Sequence, residues 1–149
     1  MRIKHIVSYR AGAALLCVLL LGCSNPSDTV NMAEQVADDY YQALKNKDFE
    51  KAAGYFMDTR AEPRAYWLDE IRDNDGKLGE LQSYKLVNKV VNTVYSGTRY
   101  TLRFNNHYAK GITYETLILF DGVSSFGGGG DSGDKRPKIE AMTIRVKGS

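Results

Sequence analysis

Apolar side chains recur every three or four positions near the start of the folded part of the chain. Ala33, Val36, Ala37, Tyr40, Tyr41 and Leu44 fall on one stripe of a helix, with charged and amide residues between them. Asn31 followed by Glu34 resembles a capping box and predicts that the helix starts there. The stretch before it, Ser24–Val30 (SNPSDTV), is polar, contains Pro26 and reads as a tether. Asp48 predicts the cap of a second, short helix carrying Phe49, Ala52, Ala53 and Phe56. Pro63 suits the first turn of a third helix, with Trp67, Leu68 and Ile71 inward and Gly76 ending it. From Gly79 the period changes to two. Leu81–Tyr95 is rich in β-branched and aromatic residues and predicts a long, bent strand. Tyr100, Leu102 and Phe104 alternate with Thr101, Arg103 and Asn105, and Tyr114–Phe120 and Ile139–Val146 predict two further strands. Helices first and strands after them predict one α+β domain over residues 31–149. Its three N-terminal helices pack on a curved antiparallel sheet of about four meander strands.

Only one stretch is both unbroken and apolar: Ala11–Leu21, preceded by Arg2, Lys4 and Arg10. It is too short to span a bilayer as a mature helix and fits the apolar region of a signal peptide. It ends in Leu20-Leu21-Gly22-Cys23, which resembles the lipobox of bacterial lipoproteins. The resemblance implies a signal peptide over residues 1–22, cleavage before Cys23, a diacylglyceryl thioether on that cysteine and acylation of the freed amine. Residues 23–30 then form the lipidated tether, and the partner at this end is the membrane. More than one acyl chain anchors a protein stably, each buried methylene contributing about 0.8 kcal/mol. In enterobacterial lipoproteins an aspartate after the cysteine favours the inner membrane. Ser24 stands there instead and points to the outer membrane, facing the periplasm.

The leader changes the charge and the cysteine arithmetic. The chain carries 20 Lys and Arg against 18 Asp and Glu. Three of the bases leave with the leader, which holds no acid, so 17 bases face 18 acids and the net charge is −1. That removes the electrostatic case for nucleic-acid binding. Cys17 also leaves, so Cys23 is the one thiol remaining; an intramolecular disulfide and a cysteine metal cluster are both excluded. A hydrophobic content of 43% with 26% charged residues is ordinary for a globular core.

The pattern A-x-x-Y-Y-x-x-L-x-x-x-D-F-x-x-A at Ala37–Ala52 is followed by an aromatic third helix around Trp67. Leu78-Gly79 then opens the sheet, and Tyr114-Glu115-Thr116-Leu117 stands near its end. Together these resemble the nuclear-transport-factor-two-like superfamily, and in particular its small secreted bacterial members of unknown function. The resemblance implies a cone in which a curved antiparallel sheet wraps three helices and leaves a cavity at the wide end. Members usually close the last hairpin with a short turn. Here Asp121–Pro137 is a long loop holding Phe126 and Gly127–Gly130; it lacks the Lys-Ser/Thr pair of a P-loop and precedes a strand, so it reads as a flexible connector.

Candidate chemistry is sparse. Ketosteroid isomerases and dehydratases of this superfamily place carboxylates, tyrosine or histidine inside the cone, where an apolar setting shifts pKa values. Tyr40, Tyr41, Tyr55 and Tyr66 lie on helices that would border the cavity, and their spacing reads first as core; Asp38 and Asp39 read as solvated. His107, in Asn105-Asn106-His107-Tyr108, which reads as a turn between two strands, has no second histidine for a metal site or dyad. Glu115 stands mid-strand, where carboxylates are disfavoured, and Arg103 on the preceding strand would lie nearly opposite it across a loop centred near residue 109. The plain reading of that couple is a cross-strand ion pair; the functional one is an anchor for a polar ligand, with Tyr40 and Trp67 lining the site.

No catalytic residue, metal ligand or cofactor is assigned. The favoured function is a lipid-anchored envelope protein with a non-catalytic domain that binds a small ligand or an envelope protein. A small enzyme of the isomerase or dehydratase type is one alternative. A self-associating structural subunit, a homodimer in its simplest form, is the other.

Overall fold

The computed structural model describes residues 26–122 and 136–148, the side chains of 26–31 excepted. Three helices, α1 (Pro26–Lys45), α2 (Phe49–Ala53) and α3 (Arg64–Leu78), precede four strands, β1 (Leu81–Val94), β2 (Gly97–Tyr108), β3 (Gly111–Gly122) and β4 (Lys138–Val146). The strands form one antiparallel sheet in the order β1-β2-β3-β4. The protein is therefore α+β, with three helices on a four-stranded antiparallel sheet.

The period of two decides which side chains meet the helices. Tyr100, Leu102 and Phe104 of β2, Leu117 and Leu119 of β3 and Ile139 of β4 are buried against Ala33, Val36, Ala37, Tyr40 and Tyr41 of α1 and Ala52 and Ala53 of α2. Removing such an apolar surface from water contributes about 25 cal/mol per Å2. β1 bends through register shifts between Leu81 and Ser83 and between Leu86 and Asn88. Two-residue turns close the first two hairpins, after Val94 and after Tyr108. Gly97 opens β2 at φ 149°, and a Cβ there would stand 2.2 Å from the Asp121 carbonyl oxygen. Only glycine fits that approach.

Several boundaries differ from the sequence expectation. α1 begins at Pro26, within the expected tether, so Asn31 lies inside the helix and is not its cap. A proline is tolerated in a first turn because its missing N–H has no helical acceptor there. α3 runs through Gly76 and ends at Gly79, whose φ of 76° stops it while its N–H reaches the Asp75 carbonyl at 2.8 Å. Phe56 lies beyond α2. The chain at this point runs beside β4, with Met57 N–H donating to Ile139 C=O at 2.8 Å and Ile139 N–H to Tyr55 C=O at 2.9 Å. That placement stacks Phe56 on Trp67 at 4.2 Å. His107 is not in a turn: it is an exposed residue of β2 opposite Ile112. The residues of Gly127–Gly130, Phe126 and Cys23 lie outside the described residues. Among the described residues no helix is long and apolar enough to cross a membrane.

Candidate functional site

The parity that buries Leu117 and Leu119 carries backward along β3 to Glu115 and Thr113. The parity that buries Leu102 and Phe104 carries forward along β2 to Asn106 and Tyr108. Asn106 and Thr113 are directly opposite each other, and Glu115 faces Phe104. The sheet thus places a carboxyl, an amide, a hydroxyl and a phenol in its interior, where α1 adds Tyr40 and Tyr41 above them. Glu115 is 1% exposed, and Asn106 and Thr113 are fully buried.

The cluster is organised around the carboxyl. Thr113 Oγ1 donates to Glu115 Oε1 at 2.7 Å and Tyr41 Oη donates to Oε2 at 3.1 Å. Tyr108 and the Asn106 amide adjoin the same group. Burial pushes the Glu115 carboxyl above the ordinary carboxylate range. The Thr113, Tyr108, Asn106 and Tyr41 donors pull the other way and do not cancel the burial. Tyr40, Tyr41 and Tyr108 are pushed well above the ordinary phenol value, first by burial and then by the Glu115 charge. Ionisation of each group is therefore opposed by its burial and by its neighbours. Neither polar atom of the Asn106 side chain makes a hydrogen bond of good geometry, although the amide faces Glu115, Tyr41 and Tyr108. Tyr40 turns its hydroxyl to Met142 Sδ at 3.2 Å.

The interior around this cluster is filled. Tyr41 packs at 5.0 Å from Tyr40 and at 4.8 Å from Phe104, ring centre to ring centre. A crevice lined by Tyr40, Leu44, Ile71, Asn74, Leu81 and Tyr108 leaves about 20 Å3 of free space, room for roughly one water molecule. The larger space lies outside the core: a groove of about 470 Å3 along α1 and β1, lined by Glu34, Gln35, Asp38, Tyr84, Leu86 and Phe104. Its volume falls in the range of small-molecule sites, but it is open and its walls are already paired. Tyr84 stacks on Tyr41 at 4.7 Å and donates its hydroxyl to Asp38 Oδ1, while Gln42 Nε2 donates to Tyr84 Oη at 2.8 Å. Partial burial and then Asp38 push the Tyr84 phenol up to about 12. Lys89 reaches across to Glu34 at 2.6 Å.

The sequence-predicted residues are not brought together. Arg103 pairs with Thr116, is exposed and donates to Asn88 Oδ1 at 3.2 Å, whereas Glu115 points into the core. The expected Arg103–Glu115 ion pair does not form. The Tyr108–Gly111 closure sets a register in which residues directly opposite have opposite parity, and 103 and 115 share theirs. Tyr40 adjoins the Glu115 cluster, and Trp67 lies apart from it, buried against Phe56 and Tyr66. Of the polar residues around Glu115, Tyr40 and Tyr41 are among the tyrosines expected to border a cavity, whereas Asn106, Tyr108 and Thr113 are not singled out from sequence as site residues. Continuing the strand alternation from Leu102 and Leu117 is the signal that finds Asn106, Tyr108 and Thr113. Among the described residues no group of three or more histidine, cysteine or acidic side chains is placed to hold a metal.

No family model matches the chain, and no curated protein matches it. Among solved structures it is similar to a protein from Catenulispora acidiphila, at 12% identity and a TM-score of 0.54 over 80% of this chain and 92% of that one. It is similar to Rv3472 of Mycobacterium tuberculosis, a protein of unknown function, at 12% identity and a TM-score of 0.52 over 84% and 78%. It is also similar to Bd1075 of Bdellovibrio bacteriovorus, at 12% identity and a TM-score of 0.51, covering 78% of this chain but 40% of that longer one. At these identities the likeness establishes a shared fold and no shared chemistry.

Proposed function

We propose that this chain is a lipid-anchored protein of the bacterial envelope, tethered through Cys23 to the outer membrane and facing the periplasm. Its domain, of the nuclear-transport-factor-two-like kind, binds a protein partner or small ligand and turns over no substrate. The observation that carries the non-catalytic half is the filled interior: the buried carboxyl spends its acceptors on Thr113 and Tyr41, and about 20 Å3 beside Tyr40 and Tyr108 admits no substrate. Binding then falls to the outside of the domain, where the groove along Glu34, Asp38 and Tyr84 is large enough. The anchoring half rests on Leu20-Leu21-Gly22-Cys23 and the basic, apolar leader before it.

A second reading draws on the same cluster. A carboxyl raised by burial beside two phenols is the equipment of an isomerase or dehydratase, and would act if the interior opened. Native mass spectrometry of the full chain released from membranes separates the two. A small adduct that disappears in Glu115→Gln favours the enzyme and overturns the binding reading. Binding that survives Glu115→Gln supports it. Growth with radiolabelled palmitate is expected to label the wild type and spare Cys23→Ser; labelling of both, or of neither, overturns the anchor.

A further inference from the structure

β1 is the edge of the sheet, and among the described residues no strand lies beyond it. An edge presents a row of backbone donors and acceptors that only another strand can match, and folded proteins usually blunt it with bulges, prolines or charges. β1 does so over its first half, where both register shifts fall. From Asn88 to Val94 it does not. That segment pairs with β2 without interruption and has no proline, no acid and one charge, Lys89. Val90, Val91 and Val94 are 48%, 44% and 44% exposed, and Tyr95, at the tip of the hairpin, is 95% exposed.

We infer that the Asn88–Ser96 edge pairs antiparallel with the same edge of a second copy of this chain, about a two-fold axis at Asn92, joining two sheets into one. The register follows from the side chains. With Asn92 opposite Asn92 of the second copy, Val90 meets Val94 on the outer face, the side of Arg99 and Arg103. On the other face Val91 meets Thr93, and Lys89 meets the exposed ring of Tyr95. Each valine thus has a valine or threonine methyl opposite it, and Lys89, whose Nζ holds Glu34 at 2.6 Å, brings its methylene stem beside the Tyr95 ring. Other two-fold registers are poorer: an axis at Lys89 opposes two lysines, and one at Val91 sets Val90 against Asn92. A foreign strand would need a matching apolar pattern, whereas this edge supplies its own. Strand addition over roughly 30 Å sits at the small end of protein interfaces, so a covalent trap suits it better than sizing in dilute solution.

Residues directly opposite in an antiparallel pair have Cα atoms about 4.5–5.5 Å apart, within the span of a disulfide. The full chain carrying Asn92→Cys, oxidised in intact cells, is expected to run mostly as a reducible dimer, with the wild type as control for Cys17 and Cys23. Asn88→Cys, on the same face of the same strand, is expected to give at least tenfold less, because its opposite number is Ser96. Co-expressed Asn88→Cys and Ser96→Cys chains are expected to restore the dimer. Adding Val90→Lys to Asn92→Cys is expected to lower the dimer at least tenfold. An Asn92→Cys chain that stays monomeric, or one that crosslinks no better than Asn88→Cys, overturns the pairing. The inference rests on the fold alone: palmitate labelling without crosslinking would keep the anchor and remove the dimer, and the converse holds.

Discussion

Replacing Glu115 by glutamine removes the titratable group at the centre of the core and changes almost nothing of its shape. The carboxyl is held above its ordinary value of 4.5 because burial outweighs the Thr113, Tyr108, Asn106 and Tyr41 donors around it. The folded chain therefore keeps a proton that the unfolded chain releases. The stability contributed by that proton is fully present below the unfolded value, near 4.3, and is lost progressively as pH rises from there through the folded value, above which the loss levels off. One proton sets the slope at about 1.4 kcal/mol per pH unit. For a domain of this size 1 kcal/mol moves Tm by about 4 °C, so each unit is expected to lower the wild-type Tm by roughly 5 °C relative to Glu115→Gln. The amide still offers one oxygen to Thr113 or Tyr41, so the offset between the two at acid pH should be about 1 kcal/mol. Circular dichroism melts at half-unit steps from pH 4.5 to 7.5 measure this, and titration of the exposed carboxylates cancels in the difference. Parallel curves, or a wild type that gains on the variant as pH rises, would refute a carboxyl raised by burial.

Tyr41→Phe removes the donor to Glu115 Oε2. It is expected to cost about 1–2 kcal/mol in urea unfolding and to carry the wild-type pH slope further toward alkaline values, because a bond favouring the charged carboxylate is gone. Arg103→Ala is expected to change stability by less than about 0.5 kcal/mol, since the side chain is exposed and bonded to Asn88; a larger loss would place Arg103 in an interaction other than this one. Gly97→Ala is expected to cost about 1–3 kcal/mol in the same assay, because φ is 149° and the new Cβ would meet the Asp121 carbonyl.

The fold was legible because its strands obey one rule throughout. Tyr100, Leu102 and Phe104 alternate cleanly, and the same alternation places Leu117, Leu119 and Ile139 inside. The Arg103–Glu115 couple misled because pairing depends on the turn, and the turn was located to within one residue. Centring the loop on residue 109 opposes the two side chains; the real turn, Ala109-Lys110, moves the register by a single place and sends them to opposite faces. Boundaries set by glycine conformation were also hidden. Gly76 and Gly79 look alike in sequence, and only Gly79 lies in the left-handed region that ends α3. Asn106 escaped notice because buried amides carry no pattern of their own; it becomes visible once Phe104 is known to point inward.

The same register that separates Arg103 from Glu115 explains why the interior is closed. Had the arginine been brought inside, its charge would have favoured the carboxylate, and a buried charged pair needs further donors or water around it. With Arg103 outside, Glu115 accepts from the Tyr41 phenol and the Thr113 hydroxyl, and its burial pushes the carboxyl above the ordinary carboxylate range. Around that carboxyl the rings of Tyr40, Tyr41 and Phe104 pack at 4.8–5.0 Å, and Tyr108 is buried beside them. Admitting a substrate would mean breaking the Tyr41 and Thr113 bonds and leaving a carboxyl short of donors, which costs about 1–3 kcal/mol for each group left unpaired. Opening the interior at Glu115 therefore carries a cost, whereas the groove along α1 and the edge of β1 already lie open at the surface of the described residues.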